Sequence, residues 1–282
     1  VRAVSMQPLR LTLVQADTRW HDAASNRAYY RELLHRHGEI GDLVVLPEMF
    51  LTGFTNETDS QAEPLEGPGL EWMRARAAEC DAVVTGSLVI RREDGQSVNR
   101  LLWVRPDGSF AQYDKRHLFR MAGEHHHYAA GASPLTIELH GWRVRPLVCY
   151  DLRFPVWSRN RRCAGARGGM DYDVLLYVAN WPAPRRTAWR TLLRARAIEN
   201  LGYCVGVNRV GTDGNDVPYA GDSAAIDPLG ESLVELGEQE LVVTVSLDPE
   251  SLMSHRQRFP AWMDADTFTL GEPVGPDGDT TS

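Results

Sequence analysis

Cysteine is scarce in this chain: four in 282 residues, at positions 80, 149, 163 and 204, with no short pair spacing among them. That excludes a disulfide framework and a zinc ribbon. Long apolar runs are missing too. None approaches the ~18 residues that a membrane-spanning helix requires, and no charged-then-apolar leader opens the sequence, so a reducing cytoplasm is the expected setting, with Val1 read as a processed start. A basic excess is also absent: 30 Lys and Arg stand against 38 Asp and Glu, for a formal charge of -8. Nucleic acid and membrane surfaces are therefore excluded as general partners, and a small molecule is expected instead. There is no repeat of fixed period, no low-complexity linker and no step in composition. The expectation is one domain over residues 1–282, ending in an irregular tail from about residue 260. With 43% hydrophobic and 24% charged residues, the chain can build one large core of the kind that soluble enzymes have.

Strand and helix signals alternate along the chain. Residues 9–16 alternate apolar and polar before turning apolar, and a helix is predicted from Asp22, a capping residue, to about His37. Leu43-Val44-Val45-Leu46 is a buried strand stopped by Pro47, and residues 52–68 are polar and turn-rich, a loop placed to rim a pocket. A helix over 69–80 and a strand over 82–90 follow, then a hairpin of 98–105 and 109–113 about Pro106-Asp107-Gly108. Residues 120–133 read as loop, 135–139 and 142–149 as a second hairpin, and 153–163 as helical despite Pro155. Beyond these lie a strand over 173–179, a helix over 187–200, strands over 203–210, 220–226, 232–235 and 241–247, and a short helix over 249–256. Such a mixture indicates an α/β or α+β protein whose sheets are covered by helices.

The polar residues that follow the buried strands carry the chemistry. Glu48, Lys115, Cys149 and the pair Asn180-Trp181 each stand just past a strand, and strands that stop together place such residues around one cleft. A thiol of ordinary pKa ~8.5 is protonated at neutral pH, so as a nucleophile it needs a nearby cation or a base. Lys115 and Glu48 supply one of each. Attack on an amide or nitrile carbon would develop negative charge that an ammonium and a backbone N–H can stabilise, and the glutamic acid can then protonate departing ammonia and activate water. No metal or organic cofactor is required. The run His125-His126-His127 completes no metal site, because consecutive histidines cannot face one ion and no Cys, Asp or Glu spacing supports them. Taken singly, Glu48 reads as a cap, Lys115 as a solvated turn residue and Cys149 as a small core hydrophobe. Cys80, Cys163 and Cys204 read as packing residues. The arginine-rich stretch 185–196, interleaved with Trp189, Leu192, Leu193 and Ala197, fits an amphipathic packing or dimer helix better than a nucleic-acid patch.

Together, Leu-Pro-Glu48-Met-Phe, Tyr-Asp-Lys115-Arg-His-Leu-Phe and Val-Cys149-Tyr-Asp-Leu-Arg-Phe-Pro resemble the nitrilase superfamily of carbon-nitrogen hydrolases, in the family's order. The likeness extends through Asn180-Trp181-Pro182 and residues 196–200 to Gly221-Asp222-Ser223, and within the superfamily it is greatest to the omega-amidases. The resemblance implies a four-layer αββα sandwich that pairs into a homodimer or larger assembly. It also implies catalysis by Cys149, Glu48 and Lys115, with Glu124 as a second glutamate that positions the lysine or relays protons. Tyr150 would offer its backbone N–H to the oxyanion and Trp181 would wall the pocket. Asp151 and Arg153 would fix the turn after the nucleophile, and Arg120, Arg153 or Arg185 could receive a substrate carboxylate. The implied activity is hydrolysis of the terminal amide of 2-oxoglutaramate or 2-oxosuccinamate, without cofactor. Alternatives are another amidase, an N-carbamoyl hydrolase, a nitrilase, or an inactive binding protein that keeps the fold.

Overall fold

The computed structural model describes residues 6–163 and 169–271. In chain order its strands and helices begin with β1 (Leu9–Gln15), α1 (Ala23–His37), β2 (Leu43–Val45), α2 (Thr58–Gln61), β3 (Glu63–Pro64) and α3 (Pro68–Cys80). Next come β4 (Val83–Arg91), β5 (Ser97–Val104), β6 (Phe110–Asp114), β7 (Ile137–Leu139), β8 (Trp142–Val148), α4 (Pro155–Ser158) and β9 (Val174–Ala179). The remainder comprises α5 (Arg186–Asn200), β10 (Tyr203–Asn208), β11 (Val210–Thr212), β12 (Pro218–Ala220), β13 (Ala224–Ile226), β14 (Ser232–Glu235), β15 (Leu241–Leu247) and α6 (Pro249–Arg258).

The larger strands form two sheets, ordered β15-β1-β2-β4-β5-β6, with β3 added on β4, and β14-β13-β10-β9-β8-β7. Side chains alternate between the two faces of a strand, and that alternation builds the layers. Leu11, Leu13, Leu43, Val45, Leu101 and Trp103 of the first sheet meet Val144, Val148, Leu176 and Val178 of the second in one core. Their neighbours Val14, Val44, Leu102 and Val104 face the other way, onto Tyr30, Leu33 and Leu34 of α1 and Leu70, Met73 and Ala77 of α3. Helix α5 packs Trp189, Leu193 and Ala197 against the second sheet. The result is the αββα sandwich.

Three expectations need correction. The helix expected over 153–163 is confined to Pro155–Ser158, preceded by a 3-10 turn over Cys149–Arg153. The chain turns extended at Arg159, where the side chain of Asn160 is drawn inward to donate to the carbonyls of Tyr172 (2.9 Å) and Asn200 (3.1 Å). The strand expected over 220–226 is two strands, because Gly221 (φ 65°) and Asp222 (φ 55°) are left-handed and break it. A Cβ at Gly221 would also stand 2.4 Å from the Gln15 side chain, so only glycine fits. The loop over 52–68 contains α2 and β3. Of the tail expected from residue 260, the part after Gly271 lies outside the described residues. The arginines of α5 are engaged with the second sheet and the loops beside it. Arg186 chelates Asp222 (2.9 Å twice), Arg190 donates to Glu235 and Arg194 to the Gly230 carbonyl.

Candidate active site

Strand direction explains why the chemistry gathers. β2 and β4 run parallel while β5 and β6 reverse twice, so β2 and β6 finish at the same end of the first sheet. β8 and β9 run parallel in the second. Glu48, Lys115, Cys149 and Asn180 follow β2, β6, β8 and β9. The two sheets are joined there by the backbone N–H of Asn180 donating to Glu48 Oε2 (2.8 Å), and by the Asn180 amide donating to the Glu48 carbonyl (2.6 Å).

Glu48, Lys115 and Glu124 form one buried cluster, each at most 1% exposed. Lys115 Nζ lies 2.9 Å from Glu48 Oε1 and 3.0 Å from both carboxylate oxygens of Glu124. Two short 3-10 turns, Arg120–Ala122 and Glu124–His126, bring Glu124 inward, and the Phe119 backbone N–H also donates to its carboxylate. Burial alone would push the Lys115 ammonium down, but Glu124 and Glu48 together hold it well above its ordinary range. Burial raises the Glu124 carboxyl, with Lys115 opposing and Glu48 adding to the rise.

Cys149 sits at the end of β8 in a left-handed conformation (φ 43°) and is 8% exposed. A non-glycine residue there is strained, and the strain turns the sulfur out of the core: it lines a cavity of about 440 Å³ together with Lys115, Asn180 and Trp181. The turn is held by Asp151, fully buried, which accepts from Val148 N–H (3.1 Å), Tyr113 hydroxyl (2.7 Å), His117 N–H (3.0 Å) and His117 Nδ1 (2.8 Å). Behind it, buried Arg196 donates to the Leu152 carbonyl (2.6 Å). The Cys149 thiol is pushed well up, first by burial and then by the negative charge of Glu48, with Lys115 opposing, and its sulfur donates to the Asn180 carbonyl at 3.9 Å. The sulfur therefore rests protonated. Cys204 and Cys80 are raised too, chiefly by burial.

The rest of the cavity wall comes from the loop at 52–57 and from Phe119, Met121, Tyr150, Arg153 and Arg185. Trp181 donates its backbone N–H to Asn208 Oδ1 (2.7 Å) and its indole N–H to the Arg185 carbonyl (2.9 Å). Arg153 stacks on the Trp181 ring, 4.9 Å to the centroid, and Arg185 on Phe119 at 5.5 Å. Of the residues singled out in the sequence, Lys115, Cys149, Tyr150, Arg153, Asn180, Trp181 and Arg185 line one cavity, and Glu48 and Glu124 stand behind it on Lys115. Arg120 does not line it. Among the described residues, no group of three or more His, Cys, Asp or Glu side chains is placed to hold a metal.

Sequence reasoning passed over Asn99, a fully buried residue of β5 that donates to Glu48 Oε1 (2.8 Å) and to Glu124 Oε1 (3.4 Å). Its signal was present. Asn99 shares strand parity with Leu101 and Trp103, and an amide on that otherwise apolar face needs polar partners.

Comparison with known proteins agrees with this geometry. Residues 10–257 match the carbon-nitrogen hydrolase family model. The chain is 48% identical over 267 residues to the omega-amidase YafV of Escherichia coli strain K12, covering 94% of this chain and all of that one. To the 2-oxoglutaramate amidase of Bacillus subtilis it is 30% identical, covering 90% and 96%. Among solved structures, a CN-hydrolase superfamily protein of Xanthomonas campestris with an arsenic adduct in its active site superposes with a TM-score of 0.92. That pair is 54% identical, over 94% of this chain and all of the other. With the family's model matched over residues 10–257 and Cys149, Glu48 and Lys115 gathered at one cleft, the chain belongs to the carbon-nitrogen hydrolases.

Proposed function

We propose that this protein is an omega-amidase, hydrolysing the terminal amide of small ω-amides that carry a 2-oxo acid, 2-oxoglutaramate and 2-oxosuccinamate among them, to the acid and ammonia. The observation that carries the reading is a buried Glu48–Lys115–Glu124 cluster opening on the Cys149 sulfur, at one end of a small cavity whose wall holds two arginines. The likeness to the omega-amidase and the 2-oxoglutaramate amidase supports it.

Glu48 takes the thiol proton as sulfur attacks the amide carbon, and the oxygen that gains charge is stabilised by the Lys115 ammonium and the Tyr150 backbone N–H. Glu48, now protonated, delivers its proton to the departing ammonia and leaves a thioester on Cys149. Water enters, Glu48 removes its proton, and collapse of the second tetrahedral centre returns the thiol and frees the acid. Glu124 holds Lys115 in place through two contacts of 3.0 Å.

Selectivity for an acid-bearing amide follows from the charges in the wall. Arg153 and Arg185 line the cavity as cations on aromatic faces. Of the wall's carboxylates, Asp213 is already committed to Asn215 N–H (2.8 Å), Val217 N–H (3.1 Å) and the Tyr219 hydroxyl (2.8 Å), and Glu57 is largely exposed. An ammonia-release assay over 2-oxoglutaramate, 2-oxosuccinamate, glutamine, asparagine, N-carbamoyl amino acids and simple nitriles tests the reading. Turnover of the 2-oxo amides above the rest is the expected result; nitrile or N-carbamoyl turnover without them would replace it. We also propose a homodimer, supported by exposed Val156 and Ile198 on the outer helical layer, which sedimentation velocity would check.

A further inference from the structure

We propose that Asn99 is a positioning residue for the reaction: its side-chain amide clamps the carboxylates of Glu48 and Glu124 through one nitrogen and keeps the base aimed. The proposal rests on the catalytic reading of Glu48 and Cys149, not on the choice of substrate.

Both carboxylates present Oε1 to the same nitrogen, at 2.8 Å and 3.4 Å. Glu48 Oε1 therefore accepts from Asn99 and Lys115 together, while Oε2 accepts from the Asn180 backbone. The amide's other half is revealing. Asn99 Oδ1 is buried and has no hydrogen-bond partner. An orphaned buried acceptor is unfavourable for folding, and a flipped amide would instead aim this oxygen at two carboxylates. The donor half thus accounts for an amide on a strand face whose parity-mates are Leu101 and Trp103. The backbone is fixed independently: the Lys115 N–H donates to the Asn99 carbonyl (2.9 Å), and Asn99 pairs with Val89 in the β4–β5 ladder. Truncating the side chain leaves those bonds in place. Asn99 does not line the cavity, so it has no contact with substrate to lose.

The charged and titratable groups facing Glu48 are Lys115 and Glu124 from the loop after β6, and Cys149 from the end of β8. Tyr128 and Tyr219 lie within its electrostatic reach. None of these replaces a second neutral donor on Oε1. Without the clamp the Glu48 side chain turns more freely and loses a donor of the kind that favours a carboxylate over its acid, so less of it is available as a base.

Asn99→Leu, which keeps the volume, and Asn99→Ser, which cannot span both carboxylates, are compared with the unaltered enzyme in two pH profiles. One is kcat/KM for whichever amide the unaltered enzyme turns over. The other is the rate of Cys149 alkylation by iodoacetamide, which needs no substrate; its amplitude counts folded sites. The expected result is a kcat lower by about ten- to a hundredfold per folded site with KM nearly unchanged. The acid limb should move up by about half a unit or more in both profiles. A smaller alkylation amplitude with unmoved limbs would mean a purely structural residue and overturn the proposal, as would full kcat in either variant. Failure of every 2-oxo amide as substrate would sink the substrate reading and leave the alkylation profile to decide this one.

Discussion

Lys115 balances two buried carboxylates, and replacing it by methionine makes that balance measurable. At 2.9 and 3.0 Å, each contact is worth about 5–6 kcal/mol of Coulomb energy at an effective dielectric of ~20. Desolvation of all three charges offsets most of that. Removing one member of a buried pair nonetheless costs about 3–5 kcal/mol, because the partner's charge stays behind. Lys115→Met leaves Glu48 and Glu124 facing each other with no cation, so a melting temperature lower by about 5–15 °C is expected at pH 7. The pH dependence has a definite sign. Without the ammonium, burial and mutual repulsion raise the carboxyls in the folded state above their unfolded pKa of ~4.3. A group raised on folding has its full stability below the unfolded value and loses it as pH rises towards the folded one. The variant should therefore approach the unaltered enzyme on acidification and fall behind it towards neutrality. Lys115→Met/Glu124→Gln removes one negative charge along with the positive one, and should recover part of the lost stability without recovering activity. Activity should drop at least ~10²-fold in both, since the oxyanion loses its cation. Thermal melts from pH 4 to 8 provide the assay. A single variant that melts like the unaltered protein at every pH, or a double variant no more stable than the single, would refute the charge balance.

Cys149→Ala should abolish ammonia release while leaving the melting temperature within about 2 °C, since alanine keeps the Cβ and the backbone conformation and gives up only the packing of one sulfur that borders a cavity. Arg153→Leu and Arg185→Leu should raise KM for acid-bearing amides about tenfold or more and leave neutral amides nearly unchanged; equal effects on both classes would remove the arginines from substrate binding. Asp151→Ala strands four donors at the nucleophile's turn, so it should cost about 3 kcal/mol or more in urea unfolding and lower kcat even where the protein is folded.

Strand ends were the part of the site most legible in the sequence. Apolar runs stopped by Pro47, by Asp114 and by Cys149 itself showed where side chains leave the core, and the structure brings Glu48, Lys115 and Cys149 together there. What periodicity could not show was how the turns are held. The helix expected after Arg153 ends at Ser158 because a distant partner, Asn200, captures Asn160. The strand expected over 220–226 breaks where Gly221 meets Gln15 from the other sheet. Both are tertiary effects with no local signature. The sequence chemistry also allowed either a cation or a base to activate the thiol, whereas burial favours the base: Cys149 is raised rather than lowered, and Glu48 adds to the rise.

The central claim is a thioester on Cys149 formed with Glu48 as base, and its most direct test is acid-quench mass spectrometry during turnover of 2-oxoglutaramate. The unaltered enzyme should show, on the peptide bearing Cys149, an increment equal to the substrate less ammonia, and Glu48→Gln should show none. Ammonia release with no adduct, or an adduct on Cys80, Cys163 or Cys204 instead, would contradict it.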